Sequence, residues 1–295
     1  MTKKTFIRAV EFWLPDASNS LLEFGGGFYG EAKRLQASSQ NLCFGRGEGL
    51  PGQAWEAGHP VMLTQLQVPL FRRAAAAKAH GLTSAVALPS FVGDQLRAVS
   101  VLFCGDDDEH AGAIELWHND PEEGVDLTLQ DGYYGTTGDT FEFLSRSTSF
   151  RAGTGLPGRA WGSQAPVFMP DLGRGSGFLR ADSAVKVGIN RGFAVPCGSA
   201  DGQTYVLAFL SALATPIARR VDVWAPDALQ SHLAHSFGFS EDSGAVLPTS
   251  DDKLGFDTSP AGQVFSTGLP QLLEQTLLIP VGLQGRVTAV LGLTL

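Results

Sequence analysis

The chain has 295 residues, 43% of them apolar and 17% charged, with a formal net charge of −9. That apolar share supplies hydrophobic cores and excludes disorder as the default, while an acidic balance without clustered Lys and Arg excludes a surface built for nucleic-acid phosphates. No long apolar run and no basic, apolar, small-residue leader opens the sequence, so neither a membrane span nor a signal peptide is expected. Three cysteines, Cys43, Cys104 and Cys197, do not make a disulfide framework, and the expected address is the cytoplasm.

The chain repeats itself. VEFWLPD (10–16) returns as IELWHND (114–120) and VDVWAPD (221–227), bringing back Trp13 as Trp117 and Trp224. A second marker keeps step: GEGLPGQAW (47–55), GTGLPGRAW (153–161) and TSPAGQVF (258–265). A third closes each copy, with strand-like runs around Pro89, Pro196 and Pro280. The period of about one hundred residues is too long for a solenoid, whose repeats run about 20–50, and is the size of a domain. Three tandem units follow, 1–106, 107–216 and 217–295, each with apolar residues enough for a core of its own.

Within a copy, alternating apolar residues around Phe6 to Trp13 and the segment LLEFGGGFYG (21–30) predict a β-hairpin. A further strand, NLCFGRG or RSTSFRAG, runs into GLPG, where Gly49 and Gly155 suit a positive φ and Pro51 and Pro157 suit the first position of a short helix. Next, FRRAAAAKAHGL (71–82) and FLRADSAVKVGI (178–189) predict an amphipathic helix, with Phe178, Ala181, Val185 and Ile189 on one face and Gly81 and Gly188 as caps. Two apolar strands finish the copy. In the third copy the interval from Gly262 to Pro280 is about half that of Gly52 to Pro89, so the amphipathic helix is missing there.

The run Gly49-Leu50-Pro51-Gly52, Pro60-Val61, Phe71-Arg72, Gly81-Leu82, Ser84, Pro89, Gly93 and Val101 resembles a GAF domain. Copy two repeats the pattern through Gly155, Leu156, Pro157, Gly158, Pro166, Val167, Phe178, Arg180, Gly188, Ile189, Pro196 and Gly202. Copy three keeps Pro260, Gly262, Pro280 and Gly285. The resemblance implies an α+β fold of three tandem GAF-like (PAS-like) domains. Each would have a roughly six-stranded antiparallel sheet, helices on one face and a pocket on the other, and the third would lack the pocket helix. It also implies small-molecule sensing of a bacterial sensor type, coupled to an output. No kinase, cyclase, phosphodiesterase or helix-turn-helix pattern accompanies it, and the long helices that flank and relay signals between such domains are absent, so output is expected through a separate protein partner.

Gly47-x-Gly49-x-x-Gly52 matches a dinucleotide fingerprint in letters, but a short helix with an internal proline makes it a structural turn. GRGSG (173–177), with Asp171, Arg174, Arg180 and Lys186, lies at the mouth expected for the pocket of copy two, where loop amides and an arginine fork suit a phosphate or carboxylate; Phe178 and Cys197 complete that candidate site. The corresponding Arg72, Arg73, Lys78 and His80 of copy one read first as the wet face of a helix and second as ligand contacts. Trp55 and Trp161 read as core, and the cysteines as small core hydrophobes, with Cys43 and Cys104 buried. Neither CxxC nor HExxH occurs, so no metal site is expected, and no particular cofactor is implied.

The expected function is small-molecule binding for regulation, in copy two and with copy one as a second binding copy, without catalysis. A ligand-free interaction or assembly scaffold is the alternative. A cysteine-dependent reductase is a second alternative.

Overall fold

The computed structural model describes residues 4–107, 111–137, 139–173, 176–199, 203–212, 215–249, 252–283 and 285–295. In copy one the elements are β1 (Ile7–Pro15), β2 (Leu21–Phe28), α1 (Lys33–Ser39), β3 (Cys43–Gly45), α2 (Gly49–Ala57), β4 (Val61–Leu63), α3 (Ala74–Ala79), β5 (Ser84–Val92) and β6 (Gln95–Cys104). Copy two repeats them as β7 (Ala111–Asn119), β8 (Leu127–Tyr133), α4 (Asp139–Arg146), β9 (Ser149–Phe150), α5 (Gly155–Ser163), β10 (Val167–Met169), α6 (Ala181–Lys186), β11 (Ile189–Gly198) and β12 (Thr204–Ala212). Copy three has β13 (Arg220–Pro226), β14 (Leu233–Ser240), β15 (Ala245–Val246), α7 (Pro260–Thr267), β16 (Gln271–Leu273), β17 (Thr276–Leu283) and β18 (Arg286–Thr294). Its one helix matches α2 and α5; none corresponds to α3 and α6 among its described residues.

All three sheets are antiparallel, six-stranded and ordered alike, β3-β2-β1-β6-β5-β4 in copy one and its equivalents in the others. The chain is therefore α+β, with three curled GAF-like sheets. None of the described helices is long and apolar enough to cross a membrane.

The GLPG turn shows why the repeat keeps its glycines. Gly49 and Gly155 have φ of 59° and 61°, in the left-handed region that glycine enters without penalty. A Cβ on Gly52, Gly158 or Gly262 would stand 2.1 Å from the carbonyl oxygen of Gly45, Arg151 or Gly255, so only glycine lets the helix start against the preceding strand. Pro51 and Pro157 stand at the third helical position, not the first, because each helix begins at Gly49 or Gly155. The substitution costs no bond, since the first four helical N–H groups have no intrahelical partner anyway.

Three other expectations change. An additional helix, α1 or α4, precedes the third strand. The amphipathic helices are single short turns, Ala74–Ala79 and Ala181–Lys186, and Val185 is exposed while Ala184 is buried. Finally, the helices do not leave the other sheet face for a pocket. Side chains alternate along each strand, so Ala9 and Trp13 point to the helices of copy one, whereas Val10 and Phe12 point away. That second face packs on the other two sheets. Phe12, Val86, Leu88 and Leu102 join Leu116, Phe193, Val195 and Leu207, with Val223, Ile279, Val281 and Leu291, in one core common to all copies.

The arrangement is a closed pseudo-threefold ring. Arg97 of copy one donates to the Thr267 carbonyl at the end of α7 at 3.0 Å. Thr288 of copy three donates to the Gln164 carbonyl at the end of α5 at 3.2 Å. Tyr205 of copy two stacks on His59, just past the end of α2, with centroids 4.4 Å apart. Each copy thus offers its last strand to the helix end of another, a head-to-tail contact that closes after three steps.

Candidate functional site

The repeated acid-x-Trp pattern builds the polar centre of each copy. On β1, Glu11 lies between Ala9 and Trp13 on the helix-covered face and is wholly buried. Such a charge needs a paired and hydrogen-bonded partner. Arg73, just before α3, supplies a two-pronged pair, with Nη1 donating to Oε2 at 2.7 Å and Nη2 to Oε1 at 2.8 Å. Trp13 Nε1, Tyr29 Oη and Ser39 Oγ also donate to the carboxylate, at 2.9, 2.6 and 3.0 Å. The guanidinium sits 5.0 to 5.8 Å from the ring centroids of Phe71, Phe103 and Trp13. Burial alone would push the Glu11 carboxyl up, but Arg73 and these donors outweigh it and hold its pKa below the ordinary value. Burial and the neighbouring Glu11 charge drive the Tyr29 phenol far above its own.

Copy two reproduces the constellation. Glu115 receives Arg180 Nη2 at 2.8 Å, Trp117 Nε1 at 3.1 Å and Tyr134 Oη at 3.2 Å, while Arg180 Nη1 donates to both Glu115 Oε1 and Ser145 Oγ. Four rings, Trp117, Phe141, Phe150 and Phe178, surround the guanidinium at 4.8 to 5.7 Å. Arg180 Nε is buried with no hydrogen-bond partner among the described residues. Among its described residues copy three has no helix in the place of α3 and α6 to carry the arginine. There Asp222 takes the acidic position, with Arg220 Nε donating at 2.6 Å and His235 Nε2 lying 2.8 Å away.

Beside Arg180 a groove of about 740 Å³ runs between α4 and α6, walled by Leu144, Thr148, Phe178 and Leu179 and continuing past Asp182 and Ser183. Phe143 on α4, Leu179 just before α6 and Val185 on α6 are respectively 69%, 56% and 55% exposed.

The nine sequence-selected residues therefore fall in different places. Phe178 and Arg180 come together at the groove, and Arg180 is turned inward to Glu115. Asp171 is exposed and accepts from the Gly173 amide at 2.7 Å; Lys186 is exposed; Arg174 lies outside the described residues. Arg73 is buried rather than on the wet face, whereas Arg72 stays outside and pairs with Glu48 at 2.7 Å. His80 is half-buried, its Nε2 without a partner among the described residues. Cys197 belongs to the shared face, away from the groove, and burial pushes its thiol up to about 12. Cys104 is buried as expected, and Cys43 is exposed, because its short strand β3 is the edge of the sheet. Glu11, Glu115, Tyr29, Tyr134, Ser39 and Ser145 were not singled out from sequence. The signal for the two glutamates was an acid recurring two residues before each repeated tryptophan inside an otherwise apolar strand.

The class of protein is set by this topology: α+β, with repeated GAF-like sheets. No family model matches the chain, and no curated protein does. Solved structures are similar to it at low identity. One is the A. aeolicus nlh2 GAF domain in an inactive state, 17% identical, covering 35% of this chain and 60% of that one with a TM-score of 0.28. Another is described as the structure of the GAF domain, at 18% identity, covering 35% of this chain and 54% of that one with a TM-score of 0.28. A third is the NreA protein of Staphylococcus aureus mutated in its nitrate binding site, at 16% identity, 37% and 78% coverage and a TM-score of 0.29. The chain spans less than two thirds of the first two proteins.

Proposed function

We propose that this chain is a non-catalytic regulatory protein that binds a small anionic molecule in copy two and acts on a separate protein. One observation carries the reading: the groove between α4 and α6 lies on a buried guanidinium whose Nε–H has no acceptor. Arg180 commits three of its five N–H groups to Glu115 and Ser145, and the Nε–H is among the two left for an incoming carboxylate or phosphate oxygen. Leu144, Phe178 and Leu179 on the groove walls suit the apolar remainder of such a ligand.

Native and denaturing mass spectra of freshly purified protein, followed by titration with benzoate and with inorganic phosphate, test the reading. Arg180→Lys keeps the positive charge facing Glu115 but removes the fork, so a ligand held by Nε should bind roughly 10- to 100-fold more weakly, as for a lost charged hydrogen bond. An identical mass in both spectra, with neither anion binding to wild type, would remove this reading.

The exposed Phe143, Leu179 and Val185 favour a second one, in which the same surface docks a protein and no ligand is involved. Against a cysteine-dependent reductase stands the Cys197 thiol, which at a pKa of about 12 is almost entirely protonated near neutrality.

A further inference from the structure

We propose a second binding site, on the pseudo-threefold axis, that takes a small apolar amine. It is independent of the groove in copy two. Strand β5 pairs with its outer neighbour β4 only as far as Ala87, β11 with β10 only as far as Ala194, and β17 with β16 only as far as Leu278. Two residues further on, each strand carries its repeated proline, Pro89, Pro196 or Pro280. Proline has no N–H to leave unpaired on a strand edge, which explains its place at the point where the outer pairing stops. The unpaired ends of the three strands meet on the axis. There the hairpin tips of copies one and three touch, with the Gly93 amide donating to the Gly285 carbonyl at 2.8 Å.

Because the tips meet and the strand edges beside them have no outer partner, they enclose a cavity of about 450 Å³. A smaller space between Pro89, Pro196 and Pro280 continues it inward. The size falls within the range of about 300–1,000 Å³ that small-molecule sites occupy. Its chemistry is specific. Pro89, Phe91, Pro280 and Val287 give an apolar and partly aromatic wall. Two polar side chains line it without a partner among the described residues: the Asp94 carboxylate at the rim and the Ser90 hydroxyl further in. Ser90 is only 8% exposed and follows Val86 and Leu88 on the face turned to the axis. Its hydroxyl opens onto the cavity with no hydrogen-bond partner among the described residues, so a ligand can bond to it without displacing a protein group. No Lys, Arg or His is among the described lining residues, so an anion finds no countercharge here.

An ammonium at Asp94 pairs with the carboxylate while its apolar body lies against Phe91 and the prolines, and a ligand that also carries a polar group at its inner end can reach Ser90. Phe91 can add a cation–π attraction. The threefold position of Ser90 holds Cys197 in copy two and Val281 in copy three, so one of three related positions offers a hydroxyl and the site has a single preferred orientation.

The test uses phenethylamine as the probe, with 2-phenylethanol and phenylacetate as neutral and anionic counterparts of the same shape, in titrations followed by calorimetry and by protein NMR. Phenethylamine should bind, the alcohol more weakly and phenylacetate least. Asp94→Asn, a change at an exposed side chain, should weaken the amine about tenfold or more, as for a lost charged hydrogen bond. Val287→Trp, which fills the cavity from its rim, should abolish binding. If phenethylamine fails to bind wild type, binds no better than phenylacetate, or binds both variants unchanged, the site does not exist as proposed.

Discussion

Replacing Arg180 by methionine tests whether the buried pair is the structural centre of copy two. Methionine fits the aromatic surroundings of the guanidinium but leaves Glu115 wholly buried with only the Trp117 and Tyr134 donors. Two unit charges about 4 Å apart attract by about 4 kcal/mol at an effective dielectric of about 20. Breaking such a pair from one side costs about 3–5 kcal/mol, because the remaining charge stays desolvated. Replacing both members, in Glu115→Gln with Arg180→Met, removes that stranded charge. Gln keeps an oxygen for Trp117 and Tyr134, so the double variant should lose less than the single one, by at least about 2 kcal/mol, and the cycle should show strong coupling. Urea unfolding read by tryptophan fluorescence and by near-ultraviolet circular dichroism supplies the numbers, with coincident curves as the condition for a two-state analysis. A loss below about 1 kcal/mol for Arg180→Met, or a double variant equal to the sum of the singles, would refute the argument.

The pH dependence of copy one follows from Glu11. Its folded pKa lies below the unfolded one, so the stability it adds is fully present above the ordinary carboxyl value of 4.5 and is lost as the pH falls below that toward the folded pKa. In Glu11→Gln, unfolding curves recorded across that acid window should have a shallower slope than wild type, and an unchanged slope would assign acid lability elsewhere. Gly285→Ala places a Cβ 3.1 Å from the Gly93 backbone at a φ of 71°, whereas Gly244→Ala, at a φ of 62°, meets nothing within 4 Å. Both should lose about 1 kcal/mol or more to the left-handed backbone, but Gly285→Ala should melt lower, and equal melting points would mean that the tip contact is not tight. Brief alkylation with iodoacetamide near neutral pH should label exposed Cys43 and spare Cys104 and Cys197, whose thiols burial keeps protonated; peptide mass mapping that finds Cys197 modified as fast as Cys43 would overturn this.

Local elements were legible where one residue type answers one backbone demand. Gly49, Gly155 and Gly262 announce the turn into each helix, and the shortened third copy announces its missing helix. The helices α1 and α4 were not legible, because AKRLQASS and DTFEFLSR are short and mix polar and apolar residues without a strong cap. Arg73 illustrates a deeper limit. An arginine on an alanine-rich helix reads as solvated, and only the tertiary arrangement, which places Glu11 beneath it from a strand sixty residues away, turns it inward. Arg180 was picked out for a ligand on the strength of its loop, and the structure puts it at the groove while giving most of its hydrogen bonds to Glu115.

The shared core explains why copy three remains folded with so little of its own. Its helix-side cluster is small, built around Leu233, Ala261, Val264, Leu278 and Val290, whereas copies one and two each bury a much larger set there. On its other face, Val223, Leu277, Ile279, Val281, Leu291 and Leu293 pack with residues of both other sheets. Apolar burial contributes roughly 25 cal/mol per Å² wherever it occurs, so a sheet covered on one face by neighbouring sheets needs less from its own helices. In copies one and two the helix side is occupied by a buried acid–arginine pair. In copy three His235 and Arg220 reach Asp222 from strands of the same sheet, and the acidic position stays paired without the missing helix. Closure of the ring therefore requires the sheet of copy three and the helix end at Thr267, both of which it keeps. The helix that it lacks belongs to the side where copies one and two hold their arginines, which is why loss of that helix leaves the axis and its cavity intact.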